Sequence, residues 1–275
     1  MSIAGDLRKL KSELDEPVRY RLPLGEERLE LNPLIGKTLH LHHEGEIHCI
    51  GCGRPIKKSL QQGYCYPCTQ RLAECDICIV KPELCHYDAG TCREPQWGES
   101  HCMQPHVVYL ANSSALKVGI TRAGQIPTRW IDQGASQALP ILKVASRYIS
   151  GLVEDAMKAH VSDRTDWRAM LKGDPQPLDL TAERDRLLGL IGDALEGISH
   201  RFGEDAVQRV DAGQVQEIRY PIEVYPKKIS SLNLDKTPTV GGTLVGIKGQ
   251  YLIFDTGVIN MRKYQGYRLA VSLSA

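Results

Sequence analysis

Two short cysteine pairs dominate the chemistry of this chain. Cys49 and Cys52 are separated by two residues, Cys65 and Cys68 likewise, and twelve residues lie between the pairs. Each pair can chelate from one tight turn, so that four thiolates close a tetrahedron around Zn²⁺. Gly51 and Gly53 relieve steric limits in the first turn and Pro67 stiffens the second. A shell of four thiolates leaves no open coordination position, which makes this a structural rather than a catalytic metal. The competing reading is a set of reduced, buried thiols.

Five further cysteines follow: Cys75, Cys78, Cys85, Cys92 and Cys102, with His86, His101 and His106 nearby in sequence. They can supply a second zinc site, for which Cys78, Cys85, Cys92 and Cys102 form the preferred set. Cys75 with Cys78 is also a natural chelating pair, and His86 or His101 can stand in for a thiolate.

These residues must be positioned by a chain that is mostly ordinary. The 275 residues carry a formal charge of +1, are 42% hydrophobic, and hold all nine cysteines between Cys49 and Cys102. No apolar run approaches the roughly 20 residues that cross a bilayer. The charged start MSIAGDLRKLKSELDEP is unlike a signal peptide, so a reducing, cytoplasmic setting is expected, in which clustered cysteines favour metal over disulfides. Residues 103–175 hold nine Lys/Arg against six Asp/Glu, and 213–275 hold eight against four, whereas 178–212 are acidic. That distribution allows a nucleic-acid partner without the dense basic stripe of strong backbone binders.

The patterning divides the chain into five parts. Residues 1–48 begin with a short helix around Leu7, Leu10 and Leu14 and continue as alternating strands. Residues 49–102 are the Cys-rich module, too dense in Gly, Pro and Cys for a core of its own. Residues 103–175 read strand, turn, strand, helix from Pro127, strand, helix from about Ser150. Residues 176–212 form a helical connector in which Leu187, Ile191, Leu195, Ile198 and Phe202 share one face of a longer helix. Residues 213–275, including IRYPIEVYP, return to strands. The fold class is α+β. Each end has too few strands to bury itself, so the terminal strands are expected to pair into one barrel-like or sandwich-like part.

Within 103–175, Val107-Val108-Tyr109 on the first strand, Lys117-Val118-Gly119 followed by Ile120-Thr121 on the second, Arg129 on the first helix and Glu154 on the second resemble the GIY-YIG nuclease superfamily. Lys117 replaces the second Tyr, as in a divergent branch with Lys-Ile-Gly followed by Thr. CHYDAGTCREPQWGE and TRWIDQGA are also similar to an uncharacterised bacterial domain-of-unknown-function family with the same Cys-rich head. The superfamily resemblance implies phosphodiester hydrolysis. Glu154 would hold Mg²⁺ or Mn²⁺, Arg129 would clamp the phosphate, Tyr109 would orient or deprotonate the attacking water, and Lys117 would stand as a cation near the phosphate. Each residue has a plainer alternative: Tyr109 as a strand cap, Lys117 as a solvated edge lysine, Arg129 packed on Trp130, Glu154 as helix-surface charge. Trp130, Asp132, Gln133 and Gly134 could read a base, or could simply end a helix at Gly134.

Three classes of function follow. The first is a zinc-containing protein that acts on nucleic acid as a metal-dependent endonuclease. The second is a non-catalytic nucleic-acid or protein adaptor on the same scaffold, and the third an enzyme of other chemistry.

Overall fold

The computed structural model describes residues 2–273. Strand β1 (Ser2–Asp6) runs directly into the C-terminal part of the molecule, and β2 (Lys11–Glu13), β3 (Arg19–Leu24) and β4 (Glu27–Glu30) make a small antiparallel sheet. The helix expected around Leu7, Leu10 and Leu14 is therefore absent. Long-range bonds replace it: residues 2–6 pair with 268–272, and the Leu10 amide donates to Gln250 Oε1 at 2.8 Å. Leu7 and Leu10 are fully buried by these contacts, and Leu14 is exposed.

Strand β5 (Thr38–Ile47) alternates as its sequence requires, with Leu39 and Leu41 in the core. The Cys-rich module then carries only two short helices, α1 (Tyr66–Arg71) and α2 (Pro95–His101), among 3₁₀ turns. After it come β6 (His106–Asn112), β7 (Leu116–Arg122), α3 (Thr128–Asp132), β8 (Gln137–Val144), α4 (Arg147–Met157) and α5 (Trp167–Lys172). Every residue of β6 is buried. Val107, Tyr109 and Ala111 face one core while Val108 and Leu110 face another, so both faces of this sheet are covered and its central strand reads as a continuous apolar run.

The expected single helix over Leu187–Phe202 is two, α6 (Leu180–Leu190) and α7 (Gly192–Phe202), broken at Ile191. Gly189 and Gly192 flank the break, each costing about 1 kcal/mol against alanine inside a helix. Both helices cover the outer face of the β6–β8 sheet, which β9 (Val207–Arg209) and β10 (Gln216–Glu217) extend. IRYPIEVYP contributes no continuous strand, because Pro221 and Pro226 offer no N–H to a ladder.

The tail forms β11 (Thr239–Lys248), β12 (Tyr251–Phe254), β13 (Gly257–Asn260) and β14 (Tyr267–Leu273). With β1 and β5 they build one six-stranded sheet in the order β1-β14-β5-β11-β12-β13. Strands from both ends of the chain are thus interleaved, but the sheet is open and not a closed barrel. Closure would require β1 to meet β13; instead the chain at Ser230–Leu232 takes the outer edge of β13, with Leu232 and Val258 amides each bonded across at 2.9 and 2.8 Å. Asp132 ties three parts together, accepting from Lys9 Nζ at 2.7 Å and Gln250 Nε2 at 2.8 Å. Among the described residues no helix is long and apolar enough to cross a membrane.

Candidate metal centre and basic cleft

The first cysteine pair sits in the turn after β5, where the Gly53 amide bonds back to the Cys49 carbonyl at 2.8 Å and Gly53 adopts φ +73°. Cys65 caps the start of α1 and Cys68 follows on its first turn. The four Sγ atoms all lie within 4.8 Å of one another. The Cys65 amide donates to Cys49 Sγ at 3.2 Å, and the Arg54 backbone N–H holds the Cys52 thiol down at about 6. Four sulfurs, two of them with backbone donors aimed at them, form a group that could bind zinc and leave no ligand position for substrate.

The remaining cysteines divide. Cys78, Cys85, Cys92 and Cys102 line one small cavity together with Asp76 and His86. Cys75 is outside that lining, and His101 is turned away, its ring stacked on Trp97 at 4.2 Å. Asp76, Cys78 and His86 also bring their donor atoms within 4.8 Å of one another, although Asp76 is already bound by Arg93 Nε at 2.5 Å.

The Cys-rich module leans on α4. Its 3₁₀ turn Pro82–Leu84 passes so close that a Cβ on Gly151 would stand 2.6 Å from the Glu83 amide nitrogen. The Arg147 amide donates to the Cys102 carbonyl at 2.8 Å, and Arg147 Nη2 donates to the Ile79 carbonyl at 2.6 Å. Module, β7, α3, α4 and the turn after β13 thereby enclose a cleft of about 870 Å³.

Lys117, Arg129 and Glu154 line this cleft, and Tyr109 does not. Lys117 is only 3% exposed, so it is no solvated edge lysine; the Val118 amide bonds to Ser162 across what would be the free edge of β7. Its Nζ reaches Thr165 Oγ1 at 3.4 Å. Burial, reinforced by the charge of Arg129 and opposed by Glu154 and Asp163, brings Lys117 down to about 8. Glu154 is pushed the other way, its carboxyl raised first by burial, with Asp163 adding to the rise and Lys158, Lys117 and Arg129 opposing it.

Tyr109 lies behind the cleft wall. It is fully buried, its ring edge-on to Trp130 at 6.0 Å, with its hydroxyl pushed by burial up to about 12. A Cβ on Gly119 would stand 2.6 Å from the Tyr109 hydroxyl, so only glycine lets β7 cross this ring. Gln133 bridges outward: in the amide orientation that satisfies both neighbours, its nitrogen donates to Tyr109 Oη at 2.8 Å and its oxygen accepts from Arg129 Nη2 at 3.0 Å. Tyr109 therefore fixes Gln133, and Gln133 fixes Arg129. Trp130 is in the core, Gly134 follows the C-cap with φ +70° and ends the helix, and Asp132, engaged with Lys9 and Gln250, lines the cleft together with Gln133.

Sequence reasoning missed Arg122, Arg147, Arg262 and Asp163, which also line the cleft. Arg147 was within reach, because it stands seven residues before Glu154 and so on the same face of α4. Arg262 had no local signal; it arrives from the turn Met261–Tyr264 at the far end of the chain.

A family model described as "Protein of unknown function (DUF2797)" matches residues 36–269, most of the chain. The protein belongs to the DUF2797 family. The match begins just before β5 and ends within β14, so the cysteine clusters and the whole cleft apart from Lys9 fall inside the DUF2797 region. No curated protein and no solved structure matches.

The Lys117 environment carries a pH prediction. The groups facing it are Arg129 from α3, Glu154 from α4, and Asp163 and Thr165 from the segment before α5. As pH rises through about 8, Nζ loses its proton and the metal-free protein should bind sulfate more weakly, a step missing in Lys117→Met. The stability contribution has the opposite sense. Unfolded lysine titrates near ~10.4, the unfolded chain binds the extra proton between the two values, and stability rises with pH across that window. Isothermal titration with sulfate from about pH 6 to about pH 9 measures the binding step; a flat profile would reject this assignment.

Proposed function

We propose that this protein binds the phosphodiester backbone of a nucleic acid in the cleft and hydrolyses it there. The observation that carries the reading is the convergence of Lys117, Arg129 and Glu154, from β7, α3 and α4, on one basic concavity. These are three of the four positions implied by the resemblance to the GIY-YIG superfamily. The zinc-binding cysteines would hold the coreless module in shape as one wall, and the cavity of Cys78, Cys85, Cys92 and Cys102 would take a second structural zinc.

The geometry supports a division of labour different from the one the motif alone implies. Tyr109 is a poor base, with its hydroxyl buried against Gln133. Lys117 is a better one: at about 8 its Nζ is neutral in roughly one molecule in ten at pH 7, enough to accept a proton from water as its oxygen attacks phosphorus. Arg129, aimed by Gln133, would hold the non-bridging oxygens as negative charge grows on them. Glu154, with Asp163 nearby, offers hard oxygen ligands suited to Mg²⁺ or Mn²⁺, which would stabilise the departing oxygen when bound. In balance, the water O–P bond forms as its proton passes to Lys117 Nζ, the P–O bond to the leaving strand breaks, and the leaving oxygen takes a proton from solvent.

The buried Tyr109 hydroxyl also favours a second reading, a nucleic-acid adaptor that binds in the same cleft without cutting. Incubation of wild type, Glu154→Ala and Arg129→Ala with mixed DNA and RNA in Mg²⁺ or Mn²⁺ separates the two. Hydrolysis by wild type that falls by about 10²–10³ in each variant supports the enzyme. Binding without hydrolysis in every sample selects the adaptor, and no binding at all removes both.

A further inference from the structure

Several arginines of this chain find carboxylates, among them Arg21 with Glu30, Arg93 with Asp76, Arg186 with Glu183 and Arg219 with Glu16, while others such as Arg28 bond only backbone carbonyls. Arg129, Arg147 and Arg262 instead converge on the cleft with no ion pair recorded for any of them among the described residues. Nε of Arg147 and Nε of Arg262 are both buried and lack a hydrogen-bond partner. Among the described residues the one acceptor that Arg147 side-chain nitrogens find is the Ile79 carbonyl. A guanidinium cannot shed its charge, so three of them held together, two with an orphaned donor, are stable only at a cost that an anion would relieve.

The location of the cluster identifies the anion. Arg147 and Glu154 share one face of α4, two turns apart, which is roughly 10 Å along the axis. Arg129 lines the same cleft from α3, with Lys117 and Glu154 as well as Arg147 and Arg262 in the lining, so it can serve a phosphate at either position. A single phosphate at Glu154 leaves the second position unfilled; a strand carries another phosphate to fill it.

We propose that Arg129, Arg147 and Arg262 form a second phosphate seat beside Glu154, so that the ligand spans at least two phosphates of one nucleic-acid strand. This rests on the nucleic-acid reading of the cleft. It also explains the position of the Cys-rich module, because Ile79 and Cys102 hold Arg147 in the wall.

The test is equilibrium binding of fluorescein-labelled single-stranded pentathymidylate, without divalent cation, to wild type, Arg262→Gln and Arg262→Lys over a series of salt concentrations. Among the described residues the Arg262 side chain makes no hydrogen bond or ion pair, which makes it the least disruptive of the three to replace; unchanged zinc content and melting temperature confirm that the variants are folded. The seat predicts about tenfold weaker binding in Arg262→Gln, with a log–log salt slope shallower by about 0.7, and recovery of that slope in Arg262→Lys. Thymidine monophosphate, which has one phosphate, should compete poorly with wild type and equally with Arg262→Gln. If the pentamer binds all three proteins with the same affinity and slope, the seat is wrong and the cleft reading survives. If the pentamer binds none of them, both fall.

Discussion

Cys68→Ser is expected to release one zinc per chain and to unfold residues 49–72 of the Cys-rich module while the sheets on either side of it persist. The module has almost no apolar core: its buried cluster consists of Cys49, Cys65 and Cys68 with Ile56, Tyr64 and Leu72 packed around them. Structural zinc in small domains contributes about 10–16 kcal/mol to folding, as much as a whole domain's net stability of about 5–15 kcal/mol. Serine cannot replace a thiolate in such a shell, so removal of one ligand should forfeit most of that contribution. The loss should remain local, since the cores around β5, β11 and β14 and around β6, β8 and α4 do not include the cysteines. Metal analysis should show one zinc fewer per chain than wild type, with amide exchange accelerating across residues 49–72 and little across β6 and β8. A variant that keeps its full zinc content and its exchange pattern would show that the four thiols are merely buried.

Arg129→Ala should have the largest effect on ligand binding of any single change in the cleft, weakening nucleic-acid affinity by about 10- to 100-fold. Charge-assisted hydrogen bonds contribute roughly 1.5–3 kcal/mol each, and this guanidinium is the one aimed by Gln133 and central to the other charges. Its removal also relieves Arg147 and Arg262, whose proton affinity burial lowers first and Arg129 lowers further, so the free protein should not be destabilised. Arg129→Lys should restore little, because an ammonium cannot donate to the Gln133 oxygen and present a planar fork to a phosphate at once. Affinity unchanged in Arg129→Ala, measured by fluorescence anisotropy at fixed salt, would take the phosphate away from this residue.

The features legible in the sequence were those set by local spacing. Two x₂ cysteine pairs close into one cluster because a turn and a helix start each present two sulfurs outward from a short segment. The strand, strand, helix, strand, helix order after His106 also stands, since the period changes from two to about 3.6 within it. What failed depended on distant partners. Leu7, Leu10 and Leu14 have helical spacing, yet Gly5 and its neighbours pair with a strand more than 260 residues away. Leu187 to Phe202 keep a helical period through Ile191, where the backbone leaves the helix. Tyr109 matched its motif in position, but only the approach of Gly119 and Gln133 shows that its hydroxyl faces inward. Arg262 joins the cleft solely because the C-terminal sheet returns past α3.

The central claim is that nucleic acid occupies this cleft and no other surface. Hydrogen exchange of the wild-type protein, with and without saturating single-stranded oligonucleotide of mixed sequence, tests it most directly. Protection should appear at Lys117–Arg129, at Arg147–Glu154 and around Arg262, and should be absent from α6 and α7. Protection confined to α6 and α7 or to the outer strands, or none anywhere at saturation, would contradict the account.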